Sequence, residues 1–339
     1  MRPPTHTAAI SGPITVPFPT ERPDGYEWLP DEPVFDPQRD LQLTSPADTV
    51  NLTDLGYQPA EINGKATGFG VSGPFRVLSD AGAATMLQVA RNLRPFARAA
   101  GNRIESSTRG GCYRSRWLRD LCISPELTTH LASIFQCPVA PHAMPLHLGH
   151  LNYEPSDINQ AVDKWHYDTL PLDMVMTVTD PTQTPGGRFE YFVGTKAEAA
   201  ELQAQGQRPP AERVVAPDLP GPGWAVALHG NMVVHRGGPL TRQAERITMV
   251  NGYVALDPTV DEQSRSADLI GVDDSHILFA EWAKFAAWRA RERLDHLIDT
   301  LPFTDNADLV ATRLEAALAD ATRAAIEMRG EARPAHHFE

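Results

Sequence analysis

The chemistry in this sequence concentrates at Trp165-His166-Tyr167-Asp168. Residues two apart on a β-strand face the same way. An imidazole and a carboxylate so spaced converge on one point, whereas on a helix they would diverge. A third ligand from a distant strand would complete one face of an octahedron. Two histidines and one carboxylate leave three positions open, a set that suits non-haem Fe(II) working with O2. With 12 histidines, about one His-x-Asp is expected by chance, so the surroundings must carry the assignment. His166-x-Asp168 is the only such tripeptide in the chain. His337-x-Glu339 stands at the extreme C-terminus, where ordering is not expected.

The elements that would position this pair read as β over about 144–256. Met144 to Tyr153 is strand-like; His147 and His150, three apart, would face opposite sides of it and so would not chelate one metal together. Asp173 to Thr179 alternates and is rich in β-branched residues. Pro185-Gly186-Gly187 is a turn signal, and Phe189 to Val193 follows as a strand. Trp224 to Val234 and Ile247 to Val254 are two more. Short strands separated by turns suggest a sandwich or jelly-roll barrel, and the absence of a βαβ rhythm argues against a doubly wound sheet. Residues 196–222 interrupt the core. Lys196 to Gln205 looks helical and 208–223 is a Pro/Gly-rich loop, either a lid over a site or a surface excursion.

Helices flank the strands. Gly73 to Leu78 reads as a short strand entering a helix capped by Ser79 or Asp80, with Met86, Val89, Ala90, Leu93 and Phe96 as its apolar stripe. Ser124 caps a second helix, with Pro125 at its first position and a stripe of Leu127, Leu131, Ile134 and Phe135. His130 on that helix reads as structural or exposed. After about 257, His276 to Leu301 and Asp308 to Arg329 read as helices that pack on the barrel or against a second subunit, the latter giving a homodimer. Residues 1–48 carry ten prolines and read as an extended arm, in which His6 is solvated. The expected organisation is that arm, then a single domain over 49–339 with C-terminal helices at 274–330.

Composition narrows the partners. Hydrophobic residues at 42% and charged residues at 22% are ordinary for a globular chain. The formal charge of −13 argues against general nucleic-acid binding, which needs basic surface. No stretch approaches the ~20 apolar residues of a membrane helix, and the N-terminus lacks the apolar core of a secretory signal. Cys112, Cys122 and Cys137 show no paired spacing and read as buried thiols in a reducing cytoplasm.

Three later stretches complete the pattern: Pro185-Gly186-Gly187-Arg188-Phe189-Glu190-Tyr191-Phe192-Val193-Gly194-Thr195, then Gly223 through His235 to Pro239, then Arg246-Ile247-Thr248-Met249-Val250. With His166-x-Asp168 these resemble the Fe(II)/2-oxoglutarate-dependent oxygenase superfamily, its phytanoyl-CoA hydroxylase-like branch in particular. The resemblance covers about 145–256, with Gly73 to Phe96 similar to that branch's entry strand and first helix. It does not reach the first 48 or the last 80 residues. It implies a mainly β fold with flanking α, a double-stranded β-helix (jelly-roll, cupin-like) core with N- and C-terminal helices. It implies Fe(II), 2-oxoglutarate as cosubstrate and O2, with His166, Asp168 and His235 as iron ligands. Arg246 would hold the distal carboxylate of 2-oxoglutarate, and Thr248, on the same strand face, would add a hydrogen bond. The implied reaction hydroxylates an unactivated C–H bond of a small molecule, amino-acid-like or a biosynthetic intermediate, releasing succinate and CO2. A carboxylate at 168 favours this over halogenation, because the related halogenases carry a small residue there.

Two departures from the pattern stand out. Gly194-Thr195-Lys196 replaces a usual Gly-Ser-His, and His229 occupies a position that is often aromatic or apolar. His229 would touch the ligands or substrate, or be a buried hydrogen-bonded core histidine. Tyr153, Asn152, Arg188 with Glu190, and Arg242 are further candidate pocket residues, each equally readable as packing or solvated surface, and Trp165 is expected to pack beside the metal. Arg103, Arg109, Arg114, Arg116 and Arg119 read as a solvated basic face or an anion-binding loop. Two other functions fit the same elements: a cupin-type metalloenzyme that does not use 2-oxoglutarate, and a non-catalytic binding barrel.

Overall fold

The computed structural model describes residues 18–101, 103–266 and 269–330; His6 and His337-x-Glu339 lie outside them. Two antiparallel sheets face one another, in a jelly-roll arrangement that does not close into a barrel. The larger is centred on Trp224–Leu228, Leu172–Thr177, Thr248–Ala255, His150–Asn152 and Ile104–Thr108, in that order, and Phe69–Ser72 extends it. The smaller runs Val214–Val215, Phe189–Phe192, His235–Pro239 and Ala161–His166.

Strand pleating explains how one sheet serves both a core and a site. Along Leu172–Thr177, Leu172, Met174 and Met176 lie in the apolar core shared with the helices Asp80–Leu93 and Pro125–Phe135. The alternate residues Asp173, Val175 and Thr177 face the other way, into the space between the sheets. Burying each of the large apolar side chains contributes about 1.5–3 kcal/mol, so this register is strongly specified; a one-residue slip would put Asp173 into the core. Both helices begin where their caps predict. Ser79 Oγ accepts from the Gly82 amide and Ser124 Oγ from that of Leu127, each worth about 1 kcal/mol.

Several expected boundaries shift. Met144 to Tyr153 is not one strand: Pro145–His147 forms a 3-10 turn, Gly149 takes a φ of 57°, and only His150–Asn152 pairs. Proline and glycine break the pleat there. The expected strand Trp224 to Val234 ends at Leu228, and a tight turn at 229–232 precedes a new strand, His235–Pro239. The interruption at 196–222 opens with the helix Lys196–Ala204, capped reciprocally by Thr195 and Glu198, and returns as an edge strand beside Phe189–Phe192. The described part of the N-terminal arm is pinned rather than simply extended. Asp40 is buried, accepts from Trp117 Nε1 at 3.1 Å, and lies under Gly82, where a Cβ would strike its carbonyl.

The arginine-rich segment is not a solvated face. Arg109 is buried against Asp273, Arg114 lies over the rings of Tyr26 and Phe96, and Arg116 and Arg119 lie over Trp28. The contacts to Tyr26 and Trp28 fasten the arm to the body. The C-terminal helices Ser275–Thr300 and Ala307–Met328 pack on one another and on the body through Leu278, Trp282, Phe285 and Ala324. Among the described residues the three cysteines are free thiols, and no helix is long and apolar enough to cross a membrane.

Candidate metal centre

His166 is the last residue of Ala161–His166 and His235 the first of His235–Pro239. The two are register partners across neighbouring strands, with ring centroids 4.2 Å apart. Asp168 lies two residues beyond the strand end, so strand pleating does not aim it as the sequence suggested. The 229–232 turn holds it instead. The Asp168 amide donates to the Gly230 carbonyl at 2.8 Å, and Asn231 Nδ2 donates to the Asp168 carbonyl at 2.9 Å. Gly230 is required for this approach, because a Cβ there would meet the Asp168 Cβ at 3.0 Å.

The carboxylate bridges the two imidazoles: Oδ1 is 3.3 Å from His166 Nε2 and Oδ2 is 3.2 Å from His235 Nε2. One ligand atom from each of the three residues lies within 4.8 Å of the others. The far nitrogens are tied to main chain, His166 Nδ1 to the Lys164 carbonyl at 2.6 Å and His235 Nδ1 to that of Val233 at 2.9 Å. A carbonyl only accepts, so each Nδ1 is assigned the proton and each Nε2 lone pair points inward. Two such lone pairs facing a carboxylate repel unless a cation sits among them, and the donor set fits a divalent transition metal. Where the imidazoles instead carry a proton on Nε2, they hold the Asp168 carboxyl well below the usual range, His235 foremost, against the burial that opposes its ionisation. Burial and the nearby Arg103 guanidinium push His166 down. Burial opposes protonation of His235 too, yet the Asp168 carboxylate raises it.

Arg246 is only 7% exposed and lies just before Thr248–Ala255. Its Nε donates to the Gly187 carbonyl and its Nη1 to Thr248 Oγ1, each at 2.9 Å. Among the described residues no carboxylate forms an ion pair with it, and burial pulls its pKa down to about 10. The Thr248 hydroxyl accepts from Arg246 and keeps its own hydrogen for a further acceptor. Gly187, at φ 64°, leaves room for the arginine; a Cβ would sit 3.3 Å from Arg246 Cγ. Arg246 and Thr248 wall a cavity of about 310 Å³ that runs into the triad, sharing Val175 and Phe189 with it.

The remaining candidates divide. Asn152 lines the triad cavity. Tyr153 faces the helices instead, donating to the Ala90 carbonyl at 2.9 Å beneath the Arg94 guanidinium. His229 is the core histidine of the two alternatives: fully buried, between the Phe69 carbonyl and Gln263. Arg188 stands at the cavity mouth paired with Asp218, Glu190 pairs with Arg236, and Arg242 is exposed outside the lining. Trp165 is buried on the opposite strand face from His166, with Phe192 and Val234. Lys196 reaches Asn231 Oδ1 at 3.1 Å, and burial pushes it down to about 8.

Sequence reasoning grouped Arg103 with the other arginines of its segment and did not place it beside the triad, where it contacts Asp163 at 2.9 Å and approaches Asp168 at 3.9 Å. It passed over Asp173, and it set His147 and His150 on opposite faces of one strand; the 3-10 turn Pro145–His147 breaks that strand, and both histidines line, with Asp173, a further recess behind Asp168. Asp173 was visible in principle, as a lone acid in the otherwise apolar run Leu172 to Met176.

No family model matches the chain, and no curated protein matches it. Among solved structures it is similar to the non-haem α-ketoglutarate-dependent epimerase SnoN from nogalamycin biosynthesis, at 17% identity over 52% of this chain and 75% of that one (TM-score 0.38). It is similar to the non-haem monooxygenase ThoJ in its nickel complex, at 16% identity over 78% and 96% (TM-score 0.42). EctD from S. alaskensis with bound Fe matches at 17% identity over 66% and 87% (TM-score 0.38). Likeness at this level carries no argument about the chemistry of this chain, which rests on its own residues.

Proposed function

We propose that this chain is an Fe(II)- and 2-oxoglutarate-dependent dioxygenase that hydroxylates an unactivated C–H bond of a small molecule, amino-acid-like or a biosynthetic intermediate, with release of succinate and CO2. One observation carries the reading beyond metal binding: Arg246, a buried guanidinium with no ion pair among the described residues, lines the same cavity as the His166–Asp168–His235 triad. A desolvated, unpaired cation is costly, and a dicarboxylate that reaches both the metal and Arg246 would satisfy it.

His166 and His235 would hold the iron through Nε2, with the Lys164 and Val233 carbonyls fixing their rings. Asp168 would supply one anionic ligand and fill the position that a halide would need. Arg246 would bind the far carboxylate of 2-oxoglutarate through its planar donors, which fit a carboxylate better than a lysine would, and Thr248 would add a donor beside it. Iron and 2-oxoglutarate would together supply the oxidising power that side chains lack. The chain's part is to place the ligands, to keep Asp168 ionised and to hold both charges in a cavity screened from water, where their interactions are stronger. The free thiols fit a reducing, cytoplasmic setting.

The test is anaerobic titration of the purified chain with Fe(II) and then 2-oxoglutarate. A weak visible charge-transfer band is expected, absent in Asp168→Ala and His235→Ala. A cupin-type enzyme that does not use 2-oxoglutarate would bind the metal without developing the band. Unchanged metal binding in both variants would remove the proposal.

A further inference from the structure

Behind Asp168 the groove continues into a recess of about 100 Å³. Its lining includes Ser107, His147, His150 and Asp173, all buried. Among the described residues, Ser107 Oγ, His147 Nε2, His150 Nδ1 and both carboxylate oxygens of Asp173 have no hydrogen-bond partner. One such atom left unmet costs about 1–3 kcal/mol, and native structures keep few. Five gathered on one small cavity point to a ligand with matching donors.

The charges select the ligand. Two arginines share this lining, and each is matched: Arg103 by Asp163 and Arg109 by Asp273. Asp168 belongs to the triad. Asp173, 1% exposed, is the carboxyl in the lining that forms no ion pair among the described residues; burial and the neighbouring Asp168 push its pKa well up, against the pull of Arg103, so it ionises when a cation arrives. Gly230 leaves room for it, since a Cβ there would fall 2.0 Å from its Oδ2.

We propose that this recess takes the ammonium group of the organic substrate, a primary or secondary amine, with Asp173 as its counter-ion and Ser107, His147 and His150 as its remaining acceptors. The assignment of this amine as substrate rests on the oxygenase reading; the recess itself does not. An ammonium carries up to three donors and no acceptor, which matches a wall of acceptors around one carboxylate. A hydroxyl compound could meet a neutral Asp173 but brings no charge that would let it ionise, which an ammonium does. The recess and the triad share Arg103, His150 and Asp168, so an amine seated there brings its carbon skeleton past the metal ligands, on the side away from Arg246.

The experiment uses the full chain without metal, with n-propylammonium and n-propanol as probes in ligand-observed NMR titrations at neutral pH. The wild type is expected to bind the ammonium at least about tenfold more tightly than the alcohol, as one charge-assisted hydrogen bond would give. Asp173→Asn, nearly isosteric, should lose that preference while its melting temperature stays level or rises. Ser107→Val keeps Asp173 but fills the recess, and should lose binding of both probes. Equal binding of the two probes, binding of neither, or an undiminished preference in Asp173→Asn would overturn the inference and leave the recess as a water site. Mn(II) titration of the same wild-type sample separates the two readings. Metal binding without amine preference sinks this inference alone, and amine preference without metal binding sinks the oxygenase reading alone.

Discussion

Replacing Arg246 by methionine removes the buried cation and keeps most of the side-chain volume. Burial lowers the guanidinium from 12.5 to about 10; at 1.36 kcal/mol per pH unit, holding that charge without a partner costs ~3 kcal/mol. A bound carboxylate recovers this through two charge-assisted hydrogen bonds, worth about 1.5–3 kcal/mol each. Both figures point to ~3–5 kcal/mol, or roughly 10²–10⁴-fold in the 2-oxoglutarate dissociation constant. Isothermal titration of 2-oxoglutarate into the Mn(II)-loaded, oxygen-free protein measures it. Metal affinity should stay within about threefold of wild type, because Arg246 donates to Gly187 and Thr248 and touches no triad residue. Melting temperature should change little, since relief of the unpaired charge offsets the hydrogen bond lost at the Gly187 carbonyl. Arg246 remains charged below about pH 10, so the effect should be flat from pH 6 to 8. A loss of less than about tenfold would refute the reasoning, as would parallel loss of metal and 2-oxoglutarate binding.

Other outcomes follow from buried groups. Burial raises Glu281 to about 7, while hydrogen bonds from Tyr113 and the Leu146 amide oppose the shift. A carboxyl whose folded pKa exceeds its unfolded one stabilises the fold while protonated. Its contribution is therefore present below about pH 4.5 and is lost as pH rises to about 7, at most ~3 kcal/mol. Glu281→Gln should flatten that decline in denaturant midpoints taken from pH 5 to 8, and an unchanged pH slope would contradict the assignment. His229→Ala should destabilise by about 2–4 kcal/mol, through a cavity and the lost contacts to Phe69 and Gln263. Its Mn(II) affinity should be retained; weakened metal binding with normal stability would return His229 to the site.

Local signals in the chain were enough for the two helix starts at Ser79 and Ser124, because a cap and an apolar stripe are contained within a few neighbouring residues. They were enough too for the β-rich middle, but not for the pairing of His166 with His235: the resemblance named His235, and the strand expected over Trp224 to Val234 stopped short of it. Helical positions for the C-terminal segments were equally legible. Short-range pattern could not show that Asp168 is aimed by a turn more than 60 residues away, as its amide and carbonyl bond to Gly230 and Asn231. Nor could it tell that the arginines of 103–119 serve three separate tasks: Arg103 beside the triad, Arg109 buried against Asp273, and the others stacked on aromatic rings of the arm and of Phe96.

What the sequence offered alone was a set of candidate donors: a His-x-Asp pair, with a later histidine and an arginine singled out by the resemblance. Tertiary structure decided which of the polar residues are buried without partners. Asp173, His147 and His150 become informative only when packing removes their water, and Arg246 gains its weight the same way, because the free energy of an unpaired charge or dipole depends on what surrounds it and not on its place in the chain.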